Sequence, residues 1–417
     1  MSKPHRSSPG RSPVHVVYGG AHLFTADTSQ KLGKIALASM TAYAPDLNEF
    51  AAATGLDESR NFLRSVYKKT LDKLAREAVE DFRIDFEDGY GFRPDDEEDA
   101  DAIRAADELA KAFLKNSITP FCGFRIKSFA PETYDRGVTT LNLFLESFLT
   151  RTKNQLPANF VVTLPKVSRR KEVRGLCKML DKIEKQAGLK NGAIGVEIMI
   201  ETPNAVIDRK GRVAIAGLIA AAKGRCRSAH FGAYDYTSSL GISAVRQHLS
   251  HDACNFARQL MLITLAPLGI RLVDSVTTKM PVPIHRTGKL SEEQKNENRQ
   301  SVHAGWREHF DNVTASMTNG FYQSWDLHPN QLVARYAAVY AFFLRSRDLD
   351  GARLRGFIEK ATRANLTGST FDDAASANGL INFFRLGLDC RAFREAEIKK
   401  ATSLSAQEIR NFSFAKL

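Results

Sequence analysis

The chain has 417 residues, 43% of them apolar and 25% charged, and its 59 Lys and Arg against 47 Asp and Glu give a net charge of +12. That length holds one large α/β domain with an appendage, or two domains, and no apolar run approaches the ~20 residues that span a bilayer. The five cysteines are dispersed, without Cys-x-x-Cys or a histidine at zinc spacing, which argues against a disulfide scaffold or a structural zinc site.

Met1 to Pro13 is basic and rich in Ser and Pro but lacks the apolar core of a secretory signal. It is expected to be a disordered tail, and the protein cytoplasmic. His15 to Phe24 reads as a first strand with a glycine turn. Lys31 to Phe62 is long for a connection and is expected to carry helices and an insertion. Ser65 to Val79 follows as an amphipathic helix. Asp81 to Tyr90 is a second strand, with Phe82, Ile84 and Phe86 on one face and Asp85 and Glu87 on the other. The spacing predicts a helix over Asp95 to Asn116, acidic in its first turn as the helix dipole favours. Phe121 to Lys127 is a third strand, with Arg125 opposite Phe124 and Ile126.

A helix from Leu141 to Lys153 leads to a strand over Asn159 to Val167, and Arg170 to Ala187 is helical. Two further strands dominate the reading. In Ile194 to Ile200, Val196, Ile198 and Ile200 alternate with Glu197 and Met199, and Pro203 stops the ladder just after Glu201. Ser228 to Asp235 ends likewise in a carboxylate. The segment from Arg212 to Arg225 between them is helix-sized, so the two strands are expected to be parallel neighbours. At a strand spacing of about 4.8 Å, Glu201 and Asp235 can close on one hard cation. Helices are expected at His251 to Leu268, Gln294 to Thr318 and Gln331 to Arg345, and strands at Ile270 to Val276 and Gly320 to Pro329. Arg353 to Leu417 is left as a helical surplus.

Strand and helix thus alternate eight times, which predicts a (β/α)8 TIM barrel with a C-terminal helical extension. The expected division is a tail over 1–13, a barrel over 14–345 with insertions near 31–62 and 286–318, and a helical cap or oligomer contact over 346–417. An open doubly wound sheet is the runner-up, but Gly19-Gly20 is no phosphate-binding loop.

Active sites of such barrels lie at the C-terminal ends of the strands, where Asp85, Glu87, Asp88, Arg125, Lys166, Glu201 and Asp235 fall. For one isolated carboxylate a salt bridge or helix cap is the ordinary explanation. Two at successive strand ends point to Mg2+ or Mn2+, which takes one or two carboxylates and completes its shell from water and substrate. Arg125 is placed to stabilise an enolate oxygen, with Glu87 and Asp88 beside it as candidate catalytic carboxylates. Asp85 and Glu87 share a face suited to orienting Arg125 or a water. Lys166, Thr202 and Pro203 join Arg125 as candidate substrate contacts; Lys166 is an anion contact or ion pair in preference to a Schiff-base amine. His285 and His328 read as hydrogen-bonding loop histidines rather than acid/base groups. The basic runs Lys166 to Lys171 and Lys223 to Arg227 are ordinarily solvated faces. With no nucleic-acid motif beside them, their functional reading is attraction of small anions, and no membrane partner is expected.

In order, Asp85-Phe-Glu-Asp88, Arg125, Leu164-Pro-Lys-Val167, Ile200-Glu-Thr202, Gly232 with Asp235, Val273-Asp274 and Leu327-His-Pro-Asn-Gln331 resemble the citrate lyase β-subunit-like branch of the HpcH/HpaI aldolase superfamily, over roughly residues 14 to 345. The resemblance implies a phosphoenolpyruvate/pyruvate-type TIM barrel forming a homo-oligomer, a trimer or hexamer. It also implies Mg2+ on Glu201 and Asp235, Arg125 on the substrate oxyanion, and carbon–carbon cleavage through a metal-stabilised enolate. The chain departs from the family at Tyr18-Gly-Gly-Ala-His-Leu-Phe24, where an Arg-Ser pair is usual, and at the acidic Asp95 to Asp99. The substrate is therefore open between a keto- or hydroxy-carboxylate and its CoA thioester. Thr370-Phe-Asp-Asp373 is the one candidate for an acidic group supplied by the C-terminal segment. A barrel that binds an anionic metabolite or partner protein without catalysis is the alternative.

Overall fold

The computed structural model describes residues 11–359, 365–367, 370–372 and 374–412. Eight strands, β1 (His15–Gly20), β2 (Asp81–Asp85), β3 (Phe121–Arg125), β4 (Phe160–Leu164), β5 (Gly195–Ile200), β6 (Cys226–Phe231), β7 (Arg271–Val276) and β8 (Gln323–Asp326), pair in parallel in chain order. β1 also pairs with β8, His15 opposite Ser324, so the sheet closes into the expected barrel and the open sheet is excluded.

The period of two sorts each strand. Ile84, Phe124, Val162, Val196, Ile198 and Phe231 point outward into the main apolar core beneath the helices. The alternate residues point inward, and several of them are charged. Arg83 of β2 reaches across the barrel to Glu197 of β5 with two bonds of 2.7 Å, and it also grips Asp81. Glu197 further accepts from Thr163 and Ser228, and His230 stands 3.3 Å away. A smaller apolar cluster, Val16, Met199, Val273, Val276 and Trp325 with Tyr18 and Tyr234 against it, lies apart from the main core.

Between β1 and β2 the long connection folds as α1 (Thr28–Tyr43), α2 (Leu47–Thr54) and α3 (Arg60–Glu77). The covering helices α4 (Asp95–Leu114), α5 (Tyr134–Arg151) and α6 (Arg170–Gln186) follow β2, β3 and β4. α6 buries Val173, Leu176, Cys177 and Leu180 on one stripe at helical spacing. After β5 the chain departs from expectation. A single turn, α7 (Pro203–Val206), leads into a hairpin closed by the Ile207–Val213 bridge, and only Ile215–Ala221 (α8) of the expected helix forms. β6 is likewise shorter than expected and ends at Phe231, so Asp235 lies in the first turn of α9 (Ala233–Ser239), not at a strand end. Gly232 still donates to the Ile200 carbonyl of β5 at 3.1 Å and is the N-cap residue of α9, so the chain enters the helix directly after it.

The last helices of the barrel are α10 (Asp252–Leu265), α11 (Glu292–Thr318) and α12 (Gln331–Glu359). α11 supplies the helix between β7 and β8, and α12 runs on well past Arg345. The surplus includes a two-stranded antiparallel pair, Asn365–Thr367 with Thr370–Asp372, followed by α13 (Ala374–Asp389), α14 (Glu395–Thr402) and α15 (Ala406–Asn411). Asp389 accepts from the Ser12 backbone at 3.1 Å and pairs with Arg410. This ties the end of α13 to the chain just before β1, at the end of the barrel opposite the strand C-termini. Residues 1–10 of the expected tail lie outside the described residues, whereas Arg11 is paired with Glu77 and Glu80. The Thr370-Phe-Asp-Asp373 side chains also lie outside the described residues. No helix of the described residues is long and apolar enough to cross a membrane.

Candidate active site

The C-terminal ends of β2 to β6 bring the six other singled-out side chains together around Arg125. Arg125 leaves β3 pointing inward and is only 3% exposed. Its Nε and Nη2 donate to the two oxygens of Asp85 on the neighbouring strand at 2.6 and 2.5 Å. Its Nη1 stands 3.1 Å from Glu87 and 3.8 Å from Asp88. The plane of the guanidinium lies near Tyr18, 4.9 Å from the ring centre, and Trp325, 5.7 Å away. Burial alone would lower its pKa, but the Asp85 carboxylate outweighs burial and holds it well above the usual value.

The loop after β2 is fixed from below and behind. Asp85 accepts from the backbone N–H groups of Glu87 and Gly89 at 3.0 and 2.8 Å. Lys127, buried at the end of β3, donates to the Phe86 and Gly91 carbonyls at 2.8 and 3.1 Å and pairs with Glu98. Glu87 and Asp88 are therefore presented by a pinned loop. Burial raises the Glu87 carboxyl to about 7 against the opposing charge of Arg125.

Lys166 joins the two halves of the site. It follows Pro165 at the end of β4 with φ +50°, the left-handed region, at a cost of about 1–2 kcal/mol for a side chain with a Cβ. That conformation points its backbone N–H at Glu201 Oε1, 2.5 Å away. Its ammonium meanwhile pairs with Glu87, lies 3.0 Å from Asp88 and 3.8 Å from Asp235. Burial lowers the Lys166 pKa, but Glu87 and Asp235 reverse this and raise it. Lys166 is thus a protonated ion-pair partner at neutral pH and a poor Schiff-base nucleophile.

Glu201 is 1% exposed. Burial first, and then the Asp235 and Glu87 charges, push its carboxyl up to about 8. Asp235 is also raised, by burial, with Lys166 opposing. Its place in the first turn of α9 brings it to the mouth by a different route from the one the sequence implied. Glu201 packs so closely on the chain that a Cβ on Gly232 would sit 2.3 Å from its Oε2. The absence of a side chain at 232 is what makes room for this carboxylate. Two carboxylates that repel each other in a low-dielectric pocket, one of them held near neutrality, are a donor set suited to a divalent cation, which needs only one or two carboxylates. Among the described residues no group of three or more His, Cys, Asp or Glu has metal-holding geometry.

Thr202 and Pro203 have local work. The Thr202 hydroxyl donates to the Val167 carbonyl at 2.9 Å and caps α7 through the Ala205 N–H, and Pro203 is the first residue of that turn. The Thr202 hydroxyl thus ties the β4 and β5 loops together. His285 pairs with Glu297, and His328 accepts from the Asn330 N–H. The sequence reading missed Tyr18 and Trp325, which stack at 4.2 Å beside Arg125, and Met199, whose sulfur lies 3.5 Å from Arg125 Nη1. It also missed His230, which meets the Tyr18 hydroxyl at 3.0 Å. Their inward phase on β1, β5, β6 and β8 was the available signal.

A model of the family described as a domain of unknown function, DUF6986, matches residues 4–417. Comparison with curated proteins gives no match. Among solved structures, a citrate lyase from Burkholderia xenovorans LB400 is similar over 96% of this chain and 100% of its own, at 15% identity and a TM-score of 0.58. A malate synthase from Haloferax volcanii, in its lead(II) complex, is similar over 97% of this chain and 99% of its own, at 14% identity and a TM-score of 0.50. At such identities these likenesses establish the barrel fold.

Proposed function

The chain belongs to the DUF6986 family, a domain of unknown function, and from its site we infer a divalent-cation-dependent carbon–carbon lyase acting on a keto- or hydroxy-carboxylate or its CoA thioester. The observation that carries this is the opposition of Arg125, fixed by Asp85, to the raised carboxylates Glu201 and Asp235 across one barrel mouth. Mg2+ or Mn2+ held by Glu201 and Asp235 would supply Lewis-acid stabilisation of charge on the oxygen next to the reacting carbon.

The chain's own groups do the rest. The Arg125 guanidinium, locked by two bonds to Asp85, still presents Nη1 toward the mouth and can donate to a developing enolate oxygen. Tyr18 and Trp325 prevent it from swinging away and form an apolar wall beside it. Lys166 holds Glu87 and Asp88 and places positive charge where a substrate carboxylate would enter. Glu87, raised to about 7, is balanced between its protonated and ionised forms at neutral pH, as a group that takes or returns a proton should be. The fold's likeness to a citrate lyase and a malate synthase supports carboxylate chemistry.

The test is direct cleavage. Malate, citramalate, oxaloacetate and their CoA esters are incubated with the protein and Mg2+, and keto acid or acyl-CoA products are followed. Cleavage of at least one, abolished by EDTA and by Glu201→Gln, is expected. Cleavage of none would favour a barrel that binds an anion without transforming it.

A further inference from the structure

A cleft of about 550 Å³ with charged side chains in its lining opens beside Lys166, and none of Glu87, Asp88, Glu201 or Asp235 lines it. Its walls come from the loop after β4, the start of α6 and the hairpin between α7 and α8, with Ala130 and Pro131 at one side. Five cations line it, Lys166, Arg169, Arg209, Lys210 and Arg212, against two carboxylates, Glu172 and Asp208.

Both carboxylates are already engaged within the chain. Glu172 accepts from the Ser168 and Arg169 backbone N–H groups and from Arg169 Nε. Asp208 accepts from the Lys210 and Arg212 N–H groups at 2.9 and 3.0 Å and from the Arg212 guanidinium at 3.0 and 2.8 Å. These bonds, the Arg212 side chain first among them, hold Asp208 at about 2. With Gly211 at φ +75°, they shape a tight hairpin tip that displays Arg209 and Lys210. Neither of those two side chains has a carboxylate partner among the described residues. The cleft thus keeps an excess of positive charge on a fixed support, next to a lysine that faces the reaction centre.

We propose that this cleft is an anion subsite that takes the phosphate-bearing end of an extended substrate whose carboxylate end lies at Arg125. The substrate half of the statement rests on the lyase reading above; the anion site itself does not. Lys166 forms the boundary between the two, close enough to Asp235 and Glu87 to sense either. A phosphate monoester or diphosphate fits the cleft's charge better than a single carboxylate, because several separated cations can share its oxygens.

Inorganic pyrophosphate is the probe, titrated calorimetrically into the full chain at low salt with EDTA, so that no metal site is needed. One saturable site is expected. Arg209→Ser with Lys210→Ser should weaken it by roughly tenfold, the scale for two exposed charged contacts. Lys399→Ser with Lys400→Ser, the same charge change on α14, should leave it unaltered. Both double variants alter exposed side chains, and unchanged melting would verify their folding. Absence of saturable binding, or equal weakening in the two double variants, would overturn the anion site. Glu201→Gln should retain pyrophosphate binding. A chain that binds pyrophosphate in the cleft yet transforms no carboxylate would sustain the anion site and overturn its assignment to a lyase substrate.

Discussion

Arg125 and Asp85 meet side on, two nitrogens to two oxygens at 2.6 and 2.5 Å, on adjacent strands whose register places the two residues opposite each other. The pair is buried, so Asp85 fixes both the charge and the plane of the guanidinium. A lysine cannot copy that fork, because an ammonium is a point donor on a flexible stem. Arg125→Lys should therefore lower turnover by about 10²–10³, the cost of one oxyanion donor. Asp85→Asn should lower it less, because the arginine remains but loses its fixed plane. Turnover of Arg125→Lys within a few fold of the parent, on protein with unchanged circular dichroism, would make the arginine an architectural ion pair.

Gly232 and Glu201 give a second prediction. Gly232→Ala would drive a methyl group to within 2.3 Å of Glu201 Oε2, so the carboxylate must move. Mg2+ affinity measured by calorimetry should fall, as it should in Glu201→Gln and Asp235→Asn. Gly175→Ala, where an added Cβ meets nothing within 4 Å, is the control and should bind as the parent does. Equal affinity in Gly232→Ala and Gly175→Ala would place the metal elsewhere.

The barrel was legible because eight apolar-alternating runs separated by helix-length segments leave few other closures. Arg125, Lys166 and Glu201 were legible for the same reason, each lying at or just past the end of a strand. Asp235 was assigned to a strand end because Ala233-Tyr234-Asp235-Tyr236 continues an aromatic, β-like pattern. The chain instead turns at Gly232 and enters a helix, a tertiary choice that lets Glu201 pack against the glycine. The hairpin at Ile207–Val213 was hidden inside a segment whose Ala, Ile and Leu content favours helix. The inward ionic network was only half visible, since which inward residues touch depends on the stagger between strands three apart.

A second buried network, joining β8 to β1 and to the covering helices α11 and α12, predicts a pH dependence. Asp326 is fully buried and accepts from His15 at 2.7 Å, His309 at 2.7 Å and Arg335 at 2.8 Å. Burial would raise its carboxyl, but Arg335 and the two histidines hold it well below the usual carboxylate range. A depressed folded-state pKa means that the stability contributed is fully present above the unfolded value near 4 and is lost as pH falls through the folded value. Denaturant midpoints should therefore fall on acidification below about pH 4, with a shallower fall in Asp326→Asn. The same variant at pH 7 should lose about 3–5 kcal/mol, because Arg335 is left buried without its counter-charge. A loss under about 1 kcal/mol would mean that water reaches the pair.

Hydrogen exchange at the carbon beside a carbonyl tests enolate chemistry most directly, because it needs no knowledge of which carbon–carbon bond is cleaved. In D2O with Mg2+, the protein should place deuterium in the methyl group of pyruvate, or in that of acetyl-CoA if a thioester is the substrate. Exchange should stop with EDTA and in Glu201→Gln, and fall steeply in Arg125→Lys. No exchange into either compound, from protein that calorimetry shows to be loaded with Mg2+, would contradict the account.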